Sequence, residues 1–209
     1  MELDHVLIAV TDLAVAARAI EARYGLASIE GGRHPDWGTA NRIVPLGQTY
    51  LELVAVVDEA KAAESAFGRW VAGVGPSLAQ PLGWAVRTNE LDGLAQRLGL
   101  SIRPGARAIP GGEPVRWRCT GIEQAAAEPS LPFFIEWGPG TPLPGRADVS
   151  HSVGAVEVAR LVLDGDAARL DDWLGKHALP IIVRRGAPAL ASIVLSGADG
   201  EIILAAPLL

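Results

Sequence analysis

GGRHPDWGTANRIVPLGQTYLELVAV, residues 31–56, joins a loop-like first half to a second half typical of a β-strand. The first half carries His34, Asn41 and Arg42 among turn-forming residues. The second half places Glu52 within an otherwise apolar run. Burying an unpaired carboxylate is costly, so Glu52 needs a partner. Two interpretations are open at this point: Glu52 belongs to a functional site, or it forms a structural ion pair with Arg42.

The segments around this stretch predict a β-α-β-β-β unit. An apolar strand is expected over residues 5–10, and Asp12 then caps a helix over residues 13–24 that ends at Gly25. Strands over residues 27–30, 42–46 and 50–56 complete the unit.

The same order of elements recurs twice, which favours a repeat architecture. The second unit is predicted with strands over 84–88, 101–103, 115–120 and 132–137 and a helix ending near residue 98. The third has strands over 156–163, 181–184, 191–195 and 201–205 and a helix over 166–174. We expect paired modules over residues 1–138 (1–57 and 82–138, joined by 58–81, with a helix and a Gly/Pro turn within 58–75). A Pro/Gly-rich connector over 139–155 and a third module over 156–209 follow.

Composition excludes several classes of function. A net charge of −6 without a lysine-rich block argues against nucleic-acid binding. No apolar run is long enough to span a bilayer, and no secretory signal pattern is present, so no membrane association is expected. Cys119 is the single cysteine, which excludes internal disulfides and suits a cytoplasmic protein. Neither a Rossmann fingerprint nor a P-loop occurs, and we expect no nucleotide cofactor.

Three motifs together resemble a known superfamily. Leu-Asp-His-Val at residues 3–6 opens the first unit, Tyr-Leu-Glu-Leu at 50–53 closes it, and His-Pro-Asp-Trp-Gly-Thr-Ala-Asn-Arg spans 34–42. This combination resembles the vicinal oxygen chelate superfamily, which includes glyoxalase I, extradiol dioxygenases and bleomycin-resistance proteins. The last motif is similar to its glyoxalase-like domain proteins. The resemblance implies an α+β fold in which repeated βαβββ modules form a curled mixed sheet around a cavity.

The resemblance also implies where a metal would bind, because members with a metal place ligands on the first and last strands of both modules. Side-chain alternation puts His5 on one such strand, Glu52 on the second and Glu136 on the third. These three donors suit Zn²⁺, Mn²⁺, Fe²⁺ or Ni²⁺. The fourth strand offers no donor over residues 82–86, which leaves metal use open.

The remaining candidates concern substrate. Glu52, Glu136 and His34 are candidate catalytic residues, His34 because it is expected in a loop, where functional residues concentrate. The candidate substrate-binding residues are Arg42, Asn41, Trp84, Arg116 and Arg118, the last two sharing one strand face. Arg42 could equally clamp a substrate carboxylate or brace Glu52.

Three functions remain in contention. The first is a glyoxalase-like lyase or isomerase that acts, with or without a divalent metal, on a small oxygenated molecule, either anionic or neutral. The second is a protein of the bleomycin-resistance type that binds a small molecule without turnover. The third is a metal-free structural or regulatory module. The chain could act alone or as a homodimer.

Overall fold

The computed structural model describes residues 1–73, 79–108 and 112–208. Its strands are β1 Glu2–Val10, β2 Ile29–His34, β3 Thr39–Leu46, β4 Thr49–Val56, β5 Ala79–Arg87, β6 Arg103–Arg107, β7 Val115–Thr120, β8 Phe133–Trp137, β9 Glu157–Gly165, β10 Ile181–Arg185, β11 Ala189–Gly197 and β12 Gly200–Ala205. Its α-helices are α1 Leu13–Tyr24, α2 Glu59–Glu64, α3 Ala66–Ala72, α4 Leu91–Leu98, α5 Ile122–Ala127 and α6 Ala167–Leu174, and a 3-10 turn covers Pro144–Arg146. Within this described part of the chain, the helices are all too short or too polar to cross a bilayer.

Eight strands form one curled mixed sheet in the order β2-β3-β4-β1-β5-β8-β7-β6. In each half the first strand lies parallel to the last, β1 beside β4 and β5 beside β8. The two halves join through the antiparallel pair β1 and β5. The predicted α+β class with a curled sheet of repeated βαβββ modules is therefore confirmed.

The two edges of this sheet meet and nearly close it. Arg33 near the end of β2 exchanges two backbone hydrogen bonds with Ala108, just after β6, at 3.0 and 2.8 Å. The approach is possible because Gly32 has φ +145° and no side chain; a Cβ there would collide with the carbonyl oxygen of Ala108. This closure gives the sheet a concave interior.

The sheet has a different core on each face. On the convex face, α1, α4 and the C-terminal strands bury a large apolar cluster that includes Ile20, Leu91, Phe134 and Leu161. The concave face packs against α3 and α5 through a second cluster that includes Phe67. Faces alternate along each strand, so the register of a strand decides which of its side chains enters the interior.

The C-terminal module repeats the element order with a different pairing. Its sheet runs β10-β9-β11-β12, and β9 lies parallel to β10, the strand that follows it after α6. In the first two modules the first strand is instead parallel to the last. The module is tied to the others by Arg97 of α4, whose guanidinium donates to the carbonyl oxygens of Asp172 and Trp173, both at 2.8 Å.

Several sequence-based boundaries are confirmed, among them α1 with its Asp12 cap and Gly25 end, and β7. Others shift in ways that matter for the site. β2 extends to His34 and β3 begins at Thr39, so the predicted loop is a four-residue turn between the two strands. The sequence did not predict α5. The predicted Gly/Pro turn before β5 falls largely on residues 74–78, outside the described residues.

Candidate functional site

A small cavity lies inside the curled sheet, between its two halves. Its volume is about 20 Å³, room for one or two water molecules. The lining residues are His5, His34, Trp37, Asn41, Tyr50, Glu52, Phe67, Arg107, Trp117, Phe133, Ile135 and Trp137. The polar groups come mainly from β1–β4, whereas β7 and β8 of the other half contribute only Trp117, Phe133, Ile135 and Trp137, so the cavity has one polar and one largely apolar wall.

Strand register explains the polar wall. β1 and β4 are parallel, with His5 beside Tyr50 and Leu7 beside Glu52. His5, Tyr50 and Glu52 all line the cavity, as the alternation of β1 and β4 predicts. The first and last strands of this half therefore deliver a histidine and a carboxylate to the same place.

Glu52 is the centre of a buried polar network. Its side chain is 7% exposed, and Oε1 accepts a hydrogen bond of 2.7 Å from Nδ2 of Asn41. Nε2 of His5 lies 3.4 Å from Oε2, and Nε2 of His34 lies 3.9 Å from Oε1. The buried carboxylate thus has three polar neighbours, as the cost of its burial requires. The alternative ion pair with Arg42 is wrong; the adjacent Asn41 is the partner.

Asp4 extends the network behind His5. The register of β1 against β5 skips Asp4, because Leu3 pairs with Val86 and His5 with Ala85. Such a bulge re-aims a side chain. The Asp4 carboxylate, 1% exposed, binds Nδ1 of His5 at 2.6 Å. Its other oxygen accepts a 2.9 Å hydrogen bond from Nε1 of Trp137.

His34 sits on the far side of Glu52. It is the last residue of β2 and is 3% exposed, so the expectation of a loop position is wrong. Nδ1 lies 2.9 Å from the hydroxyl of Thr39. Burial lowers the pKa of His34 to about 4, against the raising effect of Glu52 and with smaller lowering effects from Arg107 and His5. At neutral pH His34 is therefore an uncharged imidazole.

Aromatic rings cover the polar network. Trp37, Phe67 and Trp117 lie around the His34 ring at centroid distances of 5.6, 6.1 and 5.8 Å. Tyr50 stacks on the His5 ring at 4.7 Å, and burial raises the pKa of Tyr50 well above its usual value. Trp37 is only half-buried and lies in the turn between β2 and β3. It is the part of this cover nearest to solvent.

Arg107, the last residue of β6, is the charged group of the apolar wall. It is 8% exposed and lines the cavity. Nε is buried, and no acceptor in the described part of the chain lies within hydrogen-bonding distance of it. Oδ1 of Asn41 is likewise buried without a donor among those residues.

The structure does not bring Glu136 to His5 and Glu52. Cavity-facing Ile135 and Trp137 flank it, so Glu136 points to the other face of β8. There its carboxylate pairs with the guanidinium of Arg118. The expectation that Glu136 shares a metal or catalytic site with Glu52 is therefore wrong. Phe134 and Glu136 do share one face of β8, but the face that enters the cavity is the one with Ile135 and Trp137.

Two predicted substrate contacts also lie elsewhere. Arg42 faces away from Asn41 on β3 and donates to the hydroxyl and the carbonyl oxygen of Ser28 at 3.0 and 2.9 Å. Trp84 is fully buried in the convex-face core, where its Nε1 donates to the carbonyl oxygen of Ser130. Neither lines the cavity.

Arg116 and Arg118 share one face of β7, as predicted. It is the convex face, while Trp117 between them enters the cavity. Arg118 donates to Asp92 of α4 at 3.0 and 2.8 Å and also binds Glu136. Arg116 is exposed. Both arginines therefore lie outside the cavity.

The predicted metal ligands do not fit a metal. His5 and Glu52 converge, but the third position is taken by Ile135, which has no donor atom in its side chain. Within the ranges that the structure describes, no group of three or more His, Cys, Asp or Glu side chains is arranged to hold a metal ion. The acids and bases that the cavity offers are therefore side chains of the protein itself.

Sequence reasoning missed Asp4 and Arg107 as site residues. A signal for Asp4 was present, since a carboxylate next to a histidine inside an apolar strand also needs a partner. Arg107 carries no comparable signal. It reaches the cavity only because β6 meets β2 and closes the sheet.

Comparison with known proteins agrees with this architecture. A family model described as Glyoxalase-like domain matches residues 3–177. No curated protein matches the chain.

Among solved structures, a hypothetical protein from Staphylococcus aureus superimposes with a TM-score of 0.73 at 13% identity, covering 95% of this chain and 92% of that one. Methylmalonyl-CoA epimerase from Mycobacterium tuberculosis matches with a TM-score of 0.45 at 22% identity, over 66% of this chain and 88% of that one. A Streptomyces coelicolor methylmalonyl-CoA epimerase variant in complex with 2-nitronate-propionyl-CoA gives 0.47 at 19%, over 66% and 97%. At these identities the first match shows the shared fold.

Proposed function

The chain belongs to the glyoxalase-like domain family of the vicinal oxygen chelate superfamily, and we propose that it is a lyase- or isomerase-type enzyme that moves a proton on a small oxygenated molecule. One observation supports this most. The buried Glu52 carboxylate faces Nε2 of His5 at 3.4 Å, while Nδ1 of the same ring is held by Asp4 at 2.6 Å. Such a pair of titratable groups in an apolar enclosure is suited to acid–base chemistry.

The Asp4–His5–Glu52 chain defines where a proton can be held. A neutral imidazole has one donor and one acceptor nitrogen. If Nδ1 donates to Asp4, then Nε2 faces Oε2 of Glu52, and a proton taken up at this place is shared by the two groups. Either His5 or Glu52 can carry that proton, which makes the two an acid–base pair. Asp4 acts as a positioning residue, because it fixes the ring and its tautomer.

In the proposed reaction Glu52 removes a proton from a carbon next to a carbonyl group. The electrons of the broken C–H bond move onto the carbonyl oxygen and give an enolate, which a protonated His5 stabilises by a hydrogen bond from Nε2. In a substrate with a hydroxyl group on the deprotonated carbon, His5 passes its Nε2 proton to the enolate oxygen and takes the proton of that hydroxyl. Return of the C–H proton from Glu52 to the former carbonyl carbon then gives the isomeric hydroxy carbonyl compound. Loss of a leaving group instead gives lyase chemistry. The burial of the cavity strengthens these electrostatic contacts.

Access to the site requires movement of its cover. A cavity of about 20 Å³ is too small for any organic substrate, so a ring must swing aside on binding. Trp37 is the best candidate, since it is half-buried and lies in a turn. Closure over the substrate would then exclude water.

Proton exchange with solvent tests the proposal whatever the final product is. Hydroxyacetone, dihydroxyacetone, pyruvate and lactate would be incubated with the protein in D₂O, and loss of C–H signals followed by ¹H NMR. We expect catalysed exchange with at least one of them, reduced about 100-fold or more in Glu52→Gln. Glu21→Gln, at an exposed site on α1, is the matched control. Exchange that persists in Glu52→Gln would exclude Glu52 as the base.

The enclosed aromatic cover favours a second candidate, a protein that sequesters a small molecule without turnover. Three rings lie within 6.1 Å of His34 and would surround any ligand seated on it. Binding by members of the panel, detected by quenching of tryptophan fluorescence, with no exchange above the uncatalysed rate would support this candidate. A homodimer and a cytoplasmic location stay predictions.

A further inference from the structure

Arg107 differs from the paired arginines of this protein in its surroundings. Arg118, Arg160 and Arg184 lie near the surface, and each is paired with carboxylates at hydrogen-bonding distance. Arg107 is more than nine-tenths buried, yet it has no carboxylate partner among the residues that the structure describes. The arrangement is the reverse of what stability alone favours, because a buried charge needs a partner more than an exposed one does.

The two carboxylates of the cavity region are already engaged by other groups. Asp4 is bound by His5 and by Nε1 of Trp137, with Nη1 of Arg87 at 3.7 Å. Glu52 is bound by Asn41 and faces His5. The positive charge of Arg107 is therefore not used by either carboxylate.

The field of Arg107 nevertheless reaches the polar wall of the cavity. Its charge contributes to lowering the pKa of His34 and opposes the raised pKa of Tyr50. The guanidinium and the Glu52 network thus act on one shared space, and a ligand in that space would meet both.

We propose that Arg107 is the recognition group for a carboxylate on the substrate, and that the substrate class is small 2-oxo or 2-hydroxy acids. The inference rests on the proposed function, because it assigns the ligand of that same cavity. A planar guanidinium matches a carboxylate with paired hydrogen bonds. With the carboxylate on Arg107, the neighbouring oxygenated carbon of a three-carbon acid would face the His5–Glu52 pair. The side chains that line the cavity enclose it closely, which favours a ligand with a short chain.

Paired ligands that differ only in charge test this assignment. Pyruvate carries the carboxylate, and hydroxyacetone replaces it with an uncharged hydroxymethyl group of similar size. Binding of both would be measured by tryptophan fluorescence in the wild type, Arg107→Met, Arg107→Lys and Arg18→Met. Arg18 is an exposed α1 arginine and serves as the matched control.

We expect the wild type and Arg18→Met to prefer pyruvate to hydroxyacetone by about tenfold to 100-fold. Arg107→Met should abolish this preference by weakening pyruvate binding alone, and Arg107→Lys should keep part of it. Equal affinity for the two ligands in the wild type, or an unchanged preference in Arg107→Met, would overturn the inference.

A stability measurement separates recognition from a structural role. If the role of Arg107 is to bind a ligand, Arg107→Met removes an uncompensated buried charge. The melting temperature of the ligand-free variant should then equal or exceed that of the ligand-free wild type. A clear fall would show that Arg107 supports the fold and would contradict the proposal.

Exchange in D₂O keeps the two proposals distinguishable. If pyruvate binds through Arg107 but none of the four compounds exchanges its C–H protons, the recognition role stands and proton transfer is refuted. Equal exchange of hydroxyacetone and pyruvate would support proton transfer and refute recognition of a carboxylate by Arg107.

Discussion

The first two modules share one topology and line one cavity, yet their equivalent strands carry opposite chemistry. His5 pairs with Tyr50 in the first module, and Ala85 pairs with Phe133 in the second. Two residues further along the last strand, Glu52 in the first module therefore corresponds to Ile135 in the second. The resemblance between Leu-Glu-Leu and Ile-Glu-Trp is out of register by one residue.

This difference shows how a duplicated scaffold can divide its tasks. The first module supplies the acid–base network with the rings of Trp37 and Tyr50, and the second supplies the apolar side chains of β7 and β8 and the cation Arg107. Each half depends on the other, because solvent in place of the apolar enclosure would weaken the interaction between the Glu52 carboxylate and His5. Substitutions that disturb this division of labour should therefore have graded effects.

The largest effect is expected from making the second module polar like the first. Ile135→Glu would place a second carboxylate near Glu52 on the apolar wall of the cavity. We expect a loss of about 3–5 kcal/mol in the free energy of unfolding. Urea denaturation would measure it, with Ile135→Leu as the control, expected to lose less than about 1.5 kcal/mol. A stable Ile135→Glu protein would show that the two walls are interchangeable.

A somewhat smaller effect should follow from the charge state of His34. Its pKa is lowered from 6.5 to about 4 by burial, so between these values the unfolded chain binds a proton that the folded chain does not. The contribution of His34 to the free energy of unfolding is fully present above pH 6.5. It is lost as the pH is lowered toward 4, and the loss amounts to about 3 kcal/mol.

Unfolding free energies at pH 7, 5.5 and 4 would measure this slope. His34→Gln should remove the part of this pH dependence that comes from His34. The groups that face His34, namely Glu52, His5 and Arg107, are unchanged in the variant. The same slope in wild type and His34→Gln would mean that the imidazole titrates normally in the folded protein.

The closure between the modules should be sensitive to a single methyl group. Gly32→Ala combines an unfavourable φ of +145° with a collision against the carbonyl oxygen of Ala108. We expect a loss of about 2 kcal/mol in the free energy of unfolding. Gly93→Ala, in α4 with open space around it, is the control and should be neutral or stabilising by up to about 1 kcal/mol. Equal behaviour of both variants would argue against closure through Gly32.

The sequence was sufficient for features that depend on local pattern. Alternation along β1 and β4 placed His5 and Glu52 on one face, and both line the cavity. It was insufficient where long-range register decides. Nothing within β8 states which of its faces enters the cavity, so Glu136 was assigned there although Ile135 occupies the position.

Two other residues show the same limit in different forms. The contact between Asp4 and His5 depends on a bulge in β1, which arises from pairing with a strand about eighty residues away. Arg107 enters the cavity only through closure of the sheet edges. Both are properties of the assembled sheet rather than of any segment.

The most direct test of the proposed chemistry compares the two glutamates in one assay. Exchange of substrate C–H protons with D₂O would be followed by ¹H NMR for Glu52→Gln and Glu136→Gln beside the wild type. We predict a loss of about 100-fold or more for Glu52→Gln and a change of less than about twofold for Glu136→Gln. Equal losses in the two variants, or a larger loss in Glu136→Gln, would contradict the assignment of Glu52 as the base.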